Sequence, residues 1–169
     1  MYMRQRRQGI LGPVPSLHIV YATTSGHTEY VMDVLIAEFK ALAPSVEIEK
    51  QRAELASVDD LKRGDVLLLA SSTWNTGNVE GQLNPHMYAL LLDRARGVSL
   101  SSKGVALVAL GDERYFHTAN AAVHLEKFAA THQGRTILPT LKIINEPYGQ
   151  EEAIRAWAKE LIPHLLDPL

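Results

Sequence analysis

Residues 17–28, LHIVYATTSGHT, decide the fold that this sequence predicts. Four of the first five residues are apolar and β-prone, which predicts a short buried strand. A run of hydroxyl side chains follows, and then Val31, Leu35 and Leu42 recur on one face of a helix that meets no proline before Pro44. The hydroxyl run is either a simple N-capping segment or an anion site, because a helix N-terminus presents free N–H groups and a positive dipole end.

The polar loop differs from the common nucleotide-binding loops. Gly26 stands alone, so the G-x-G-x-x-G pattern is absent, and no Gly-Lys-Ser/Thr ends the loop as in a Walker A motif. What remains is a cradle of hydroxyls and amides without a cation. Such a cradle suits a permanently held phosphate monoester, such as that of flavin mononucleotide (FMN).

Length and composition indicate one soluble globular domain. The chain has 169 residues, of which 46% are hydrophobic and 21% charged, enough for an ample core. A net charge of −2 argues against nucleic acid as an obligatory partner. Since cysteine is absent, disulfides, thiolate metal sites and cysteine nucleophiles are excluded. No apolar run is long enough to span a membrane, and we expect a cytoplasmic protein without a metal site.

Residues 1–16 differ in kind from the rest of the chain. Three arginines lie within the first seven residues, and glycines and prolines follow them without the long apolar run of an export signal. We therefore predict a flexible basic N-terminal extension over 1–16 and a single domain over 17–169. The extension is either a solvated tail or a basic interaction arm.

Five strand patterns alternate with about five helical patterns. Residues 46–50 alternate apolar and charged side chains, whereas 66–70 and 105–110 are continuous apolar runs, typical of strands buried on both faces. The last strand pattern, 136–144, contains Pro139 as an irregularity. The alternation predicts an α/β fold of three layers with a doubly wound, five-stranded parallel sheet.

Polar loops are expected after the first, third and fourth strands, on the same edge of the sheet. The second of these loops, 71–84, contains Trp74, and the third, 111–117, contains Tyr115. Each aromatic is either a partly buried loop anchor or a plate that covers a flat ligand. The combination of a phosphate cradle with two aromatic side chains favours a heteroaromatic ring bound between them.

The sequence resembles the flavodoxin family, specifically its short-chain members, because no long insertion splits the last strand. Residues 23–28, TTSGHT, match the T-x-[ST]-G-x-T phosphate loop of the family. Residues 72–74, Ser-Thr-Trp, match the first flavin loop, and Gly111-Asp112-x-x-Tyr115 matches the second. The resemblance extends from about Leu17 to Leu165 and implies a flavodoxin-like strand order of 2-1-3-4-5.

The resemblance implies that FMN binds non-covalently between these loops. Ser72 and Thr73 would contact the ribityl chain or the ring edge, and Trp74 and Tyr115 would cover the two faces of the ring. The phosphate would be held by amides and hydroxyls of Thr23, Thr24, Ser25, Gly26, His27 and Thr28.

Backbone contacts with the flavin ring are implied as well. The peptide between Asn75 and Thr76, which precedes Gly77, would turn over and offer its carbonyl to flavin N5–H. Ala119 would touch the flavin from the start of the following helix. The pyrimidine side of the ring would face the backbone of Leu110, Gly111 and Asp112.

The function that the resemblance implies is single-electron transfer between a reductase-type donor and acceptor proteins. A monomer without catalytic side chains would meet both partners transiently while FMN passes between quinone, semiquinone and hydroquinone states. The alternative is a flavodoxin-like NAD(P)H:quinone or flavin reductase, which would oxidise NADPH without a separate reductase. A receiver domain shares the fold, but it needs acidic residues where this chain has Ala22-Thr23 and Ser71-Ser72.

Three departures from the family pattern concern charge and backbone freedom. The chain is nearly neutral where family members are usually acidic, and its first flavin loop carries no charge before Glu80. Asn75 stands where the family often has glycine, so a peptide flip costs more here. Our hypothesis is that the hydroquinone is less destabilised in this chain than in an acidic family member.

Overall fold

The computed structural model describes residues 14–114 and 118–168. Within these ranges the strands are β1 (Ser16–Ala22), β2 (Glu47–Arg52), β3 (Val66–Thr76), β4 (Val79–Leu83), β5 (Gly104–Gly111), β6 (Arg135–Thr136) and β7 (Leu141–Ile144). The α-helices are α1 (His27–Leu42), α2 (Pro85–Tyr88), α3 (Ala121–Thr131) and α4 (Glu151–Leu166). A π-helical segment, Ala89–Arg94, continues α2, and two 3₁₀ turns, Ala53–Leu55 and Asp59–Lys62, connect β2 to β3.

The parallel strands lie in the order β2-β1-β3-β5-β6, which confirms the predicted order of five positions. The fifth position is divided between two short strands, since Arg135 of β6 and Leu141 of β7 both pair with β5. Pro139 lies between them and has no N–H to donate to the ladder, which accounts for the break. The irregularity expected at this proline is therefore a complete interruption of the strand.

The sheet is covered on both faces, as the apolar runs of β3 and β5 predict. Alternate residues of β3 belong to different cores: Leu68 packs on the face of α1 and α4, and Leu67 and Leu69 pack on the face of α2 and α3. Phe39 and Phe128 are large buried side chains of the two helical layers. Three layers therefore enclose two hydrophobic cores. Among the described residues, no helix combines the length and apolarity needed to cross a bilayer.

The apolar stripe of α1 differs in one position from the stripe that the sequence predicts. Val31, Leu35 and Phe39 are fully buried, whereas the predicted Leu42 is 50% exposed. The buried stripe passes through Phe39 to Ala43 at the helix C-cap, so Leu42 lies beside it.

The largest departure from prediction is in residues 71–84, where the structure has an antiparallel β-hairpin in place of a polar loop. Strand β3 continues to Thr76, turns and pairs with β4. Gly77 and Asn78 both have φ of 61°, the left-handed conformation that a two-residue type I′ turn requires. Thr76 Oγ1 also donates to the carbonyl of Leu83, 2.7 Å away, and closes the hairpin. The β-prone side chains flanking a Gly-Asn turn explain why this segment extends the sheet.

Candidate functional site

An open cleft of about 800 Å³ lies at the carboxyl edge of the sheet. This is the edge at which doubly wound sheets bind ligands. The cleft is formed by segments that follow β1, β5 and β7 and by the hairpin of β3 and β4. Its lining comprises Thr23, Thr24, Ser25, His27, Thr28, Ser72, Thr73, Trp74, Asn75, Glu80, Gly81, Leu110, Gly111, Asp112, Glu113, Arg114, Asn145 and Glu146.

The cleft brings together most of the residues that the sequence predicts as ligand contacts. Gly26, Thr76, Gly77 and Ala119 do not line it, and Tyr115 lies outside the described residues. The sequence-based prediction omitted six lining residues. Two of them, Asn145 and Glu146, follow the last parallel strand, so the rule that placed the other loops would have found them. The others are Glu80, Gly81, Glu113 and Arg114.

The N-terminus of α1 opens into the cleft without a side-chain cap among the described residues. Gly26 occupies the N-cap position with φ of 91°, and Tyr30 N–H donates to its carbonyl at 3.0 Å. The amides of the preceding first turn have no intrahelical acceptor, as at every helix start. Thr23 Oγ1 accepts from Gly26 N–H at 2.9 Å and so stabilises the loop rather than capping the helix. The hydroxyl run therefore leaves this N-terminus open to an anion.

Thr28 has a side chain that the protein itself does not satisfy. The residue is buried and borders the cleft, and its Oγ1 has no hydrogen-bond partner within the described structure. An unsatisfied buried hydroxyl costs about 1–3 kcal/mol. An acceptor-rich group at the helix N-terminus would supply the missing partner, so these residues fit a phosphate.

His27 is held by aromatic neighbours beside the same loop. Its ring meets Tyr148 edge to face, with centroids 5.6 Å apart, and Tyr148 in turn contacts Tyr30 at 4.8 Å. Tyr30 is fixed by donating its hydroxyl proton to Glu151 at 2.5 Å. The imidazole thus has an ordered place at the edge of the cradle.

The hairpin presents Trp74 to the cleft. Its indole Nε1 donates to Ser72 Oγ at 2.7 Å, yet the residue remains 40% exposed. A side chain folded back as a loop anchor would be more deeply buried, so this arrangement favours a plate for a ligand ring. The register of the hairpin shifts between Trp74 and Thr76, and Asn75 has no cross-strand register partner.

Thr73 has a structural role that the sequence-based prediction missed. Its hydroxyl donates to the carbonyl of Leu110 at 2.8 Å and accepts from Ala121 N–H at 3.1 Å. The side chain therefore ties β3 to the end of β5 and the start of α3. Because its proton is already donated within the protein, the hydroxyl is not a free donor to a ligand.

Gly111 allows a close approach of two backbone segments below the cleft. A Cβ atom at this position would lie 2.1 Å from the backbone nitrogen of Ala119, so no side chain fits. Ala119 is buried and has φ of 51°. It packs against Gly111 and is absent from the cleft lining, so its contact with a ligand stays a prediction.

The cleft carries an excess of negative charge although the whole chain is nearly neutral. Arg114 binds Asp112 with its side chain and backbone N–H, and these hydrogen bonds, the side-chain ones foremost, lower the pKa of Asp112 to about 2. The cleft lining thus includes one guanidinium and four carboxylates, those of Glu80, Asp112, Glu113 and Glu146. The local field therefore disfavours additional negative charge on a bound ligand.

Comparison with known proteins identifies a family. The flavodoxin family model matches residues 19–157. Probable flavodoxin 2 of Bacillus subtilis is 28% identical over 137 residues, covering 79% of this chain and 85% of that protein. A flavodoxin of Nitratidesulfovibrio vulgaris is 27% identical over 150 residues, covering 87% and 97%. The crystal structure of oxidised flavodoxin 2 from Bacillus cereus, 25% identical, superposes with a TM-score of 0.77 over 85% of this chain and 95% of that one.

Proposed function

Because the chain belongs to the flavodoxin family of FMN-binding electron-transfer proteins, we propose that the cleft described above is its FMN site. The phosphate would lie at the N-terminus of α1, among the loop residues 23–28. The observation that carries this assignment is the buried, unpartnered hydroxyl of Thr28 beside an uncapped helix N-terminus. An anionic acceptor bound there would satisfy both the free N–H groups and the hydroxyl.

The ring would lie against Trp74, on the hairpin side of the cleft. Ser72, Asn75 and the backbone of residues 110–112 border the same space. Tyr115, as the second plate, stays a prediction from the sequence. Contacts with Thr76, Gly77 and Ala119, which do not line the cleft, likewise stay predictions from the sequence.

The bound FMN supplies one-electron redox chemistry, and the protein determines its energetics. The four carboxylates raise the energy of any additional negative charge in the cleft, which lowers the reduction potential of the bound group. Trp74 excludes water from one ring face. The peptide between Asn75 and Thr76 lies at the irregular point of the hairpin, where the register shifts between Trp74 and Thr76. Its carbonyl would accept a hydrogen bond from the N5–H of the flavin, as the resemblance to the family implies.

Family members are electron carriers rather than enzymes, and the comparisons contain nothing that favours the reductase alternative. A carrier exchanges electrons with redox partners. We propose that these partners are a reductase-type donor and acceptor proteins, that each contact is transient, and that neither nucleic acid nor a membrane span takes part. We further propose a monomer in the cytoplasm, with residues 17–169 as one domain after a basic extension. Residues 1–13 of that extension lie outside the described structure, and Ser16 is already the first residue of β1.

Calorimetric titration of the FMN-free chain tests the site assignment. We expect FMN to bind far more tightly than riboflavin, because riboflavin lacks the phosphate that residues 23–28 would hold. Equal affinities for the two flavins would contradict the position of the phosphate. Failure to bind either flavin would contradict the proposed function itself.

A further inference from the structure

Asn84 is a fully buried amide that lies behind the cleft without lining it. Its Nδ2 donates to Thr24 Oγ1 at 3.0 Å and to Ser72 Oγ at 3.2 Å. Its Oδ1 accepts from His86 N–H at 3.0 Å, which caps α2. Both amide protons are therefore donated to hydroxyls, one in the loop after β1 and the other in strand β3. Thr24 lies at the phosphate end of the proposed site, and Ser72 lies at the ring end.

These bonds determine what the two hydroxyls can offer a ligand. A hydroxyl has one proton and two acceptor positions. Ser72 Oγ accepts from Asn84 and also from Trp74 Nε1, so both acceptor positions are occupied and its proton remains for donation. Thr24 Oγ1 likewise accepts from Asn84 and keeps its proton. Asn84 thus prepares both hydroxyls as donors, which match the oxygen acceptors of a phosphate and a ribityl chain.

The same contacts form a continuous path from Thr24 through Asn84 and Ser72 to the indole of Trp74. Resting on the FMN site proposed above, we propose that Asn84 is a positioning residue that couples phosphate binding to ring binding. An anion that orders Thr24 fixes the amide plane of Asn84. The fixed amide then holds Ser72, and through it Trp74, in the orientation that receives the ring. Such coupling is a free energy shared between two sites, and it is reciprocal.

Riboflavin and inorganic phosphate separate the two ends of the site and so measure the coupling. The full-length chain, freed of FMN, is titrated with riboflavin with and without saturating phosphate, and the fluorescence of the flavin reports the Kd. In the unmodified chain we expect saturating phosphate to lower the Kd for riboflavin about fivefold. This ratio of the two Kd values corresponds to the free energy of one neutral hydrogen bond. Asn84→Ala should reduce this ratio to about one, because the path is interrupted.

Two further variants separate positioning from folding. Asn84→Asp keeps an acceptor for His86 N–H but has no N–H to donate, so the ratio should also fall to about one. It decides the question where Asn84→Ala does not fold. Asp60→Ala is the matched control: it removes the bond from Ser57 N–H to the carboxylate at 2.8 Å, in a turn outside the cleft lining, and should keep the ratio of the unmodified chain.

The outcomes distinguish this proposal from the proposed function. If both Asn84 variants retain the ratio of the unmodified chain, or if phosphate has no effect on that chain, the coupling role is overturned while FMN binding stands. If the unmodified chain binds neither FMN nor riboflavin, both proposals fail together. A fivefold ratio that is lost in the Asn84 variants and kept in Asp60→Ala supports the proposal.

Discussion

Replacing Thr28 by valine is expected to stabilise the FMN-free protein while weakening its affinity for FMN. Valine has nearly the shape of threonine and lacks the Oγ1 that is buried without a partner. Relief of an unsatisfied buried hydroxyl is worth about 1–3 kcal/mol in the free energy of unfolding. For a domain of this size, that gain raises the melting temperature by roughly 2–4 °C per kcal/mol.

In the complex with FMN, the same substitution removes a hydrogen bond to the phosphate. A hydrogen bond to a charged group contributes about 1.5–3 kcal/mol, so the Kd for FMN should rise about tenfold to a hundredfold. Riboflavin has no phosphate, and its Kd should change little. Urea unfolding of the FMN-free chain and fluorescence titration with both flavins measure these effects.

Thr73→Val provides a control of opposite sign. The hydroxyl of Thr73 makes two hydrogen bonds inside the protein, to Leu110 and from Ala121. Its removal should therefore lower the free energy of unfolding by about 1–3 kcal/mol. The reasoning about Thr28 is refuted if Thr28→Val destabilises the FMN-free chain, or if it weakens FMN and riboflavin by the same factor.

Three other substitutions test the remaining parts of the site and the fold. Gly111→Ala places a methyl group against the backbone of Ala119 and should lower the free energy of unfolding by about 1–3 kcal/mol. An unchanged urea midpoint would show that the segment around Ala119 moves without cost. Trp74→Ala should weaken the binding of both FMN and riboflavin, by about 0.5–1.5 kcal/mol beyond the contribution of the lost contact area; weaker binding of FMN alone would show that the indole does not contact the ring. Burial lowers the pKa of His18 below 6.5, so the unfolded chain binds more protons than the folded chain and the free energy of unfolding falls as pH drops through 6.5. His18→Gln should make the free energy of unfolding depend less steeply on pH than in the unmodified chain. An unchanged slope would contradict the role assigned to His18.

The sequence predicted the architecture because its strongest signals are local. Apolar runs such as 66–70 and 105–110 require a layer on each face, and the parallel order then places the polar loops on one edge. The hairpin at 71–84 was missed because its polar and β-prone residues alternate weakly, while its pairing depends on a single Gly-Asn turn. Leu42 was misassigned because the stripe of α1 continues into the residue at its C-cap.

Details of the site depend on long-range contacts that no spacing reveals. The burial of Thr28 and the three side-chain bonds of Asn84 exist only once separate loops meet. Net charge likewise could not predict that carboxylates would outnumber cations along the cleft. These carboxylates would destabilise the fully reduced flavin, whereas the nearly neutral net charge of the chain predicts that it is less destabilised. The hypothesis of a less destabilised fully reduced state therefore stays a prediction for potentiometry.

Stepwise anaerobic reduction of the purified holoprotein, followed by its visible spectrum and potential, tests electron carriage most directly. We expect the absorption of bound flavin and two resolved one-electron steps, without NADPH oxidation unless a separate reductase is added. A single two-electron step, together with steady NADPH oxidation in the presence of a quinone, would contradict the carrier function and favour a reductase.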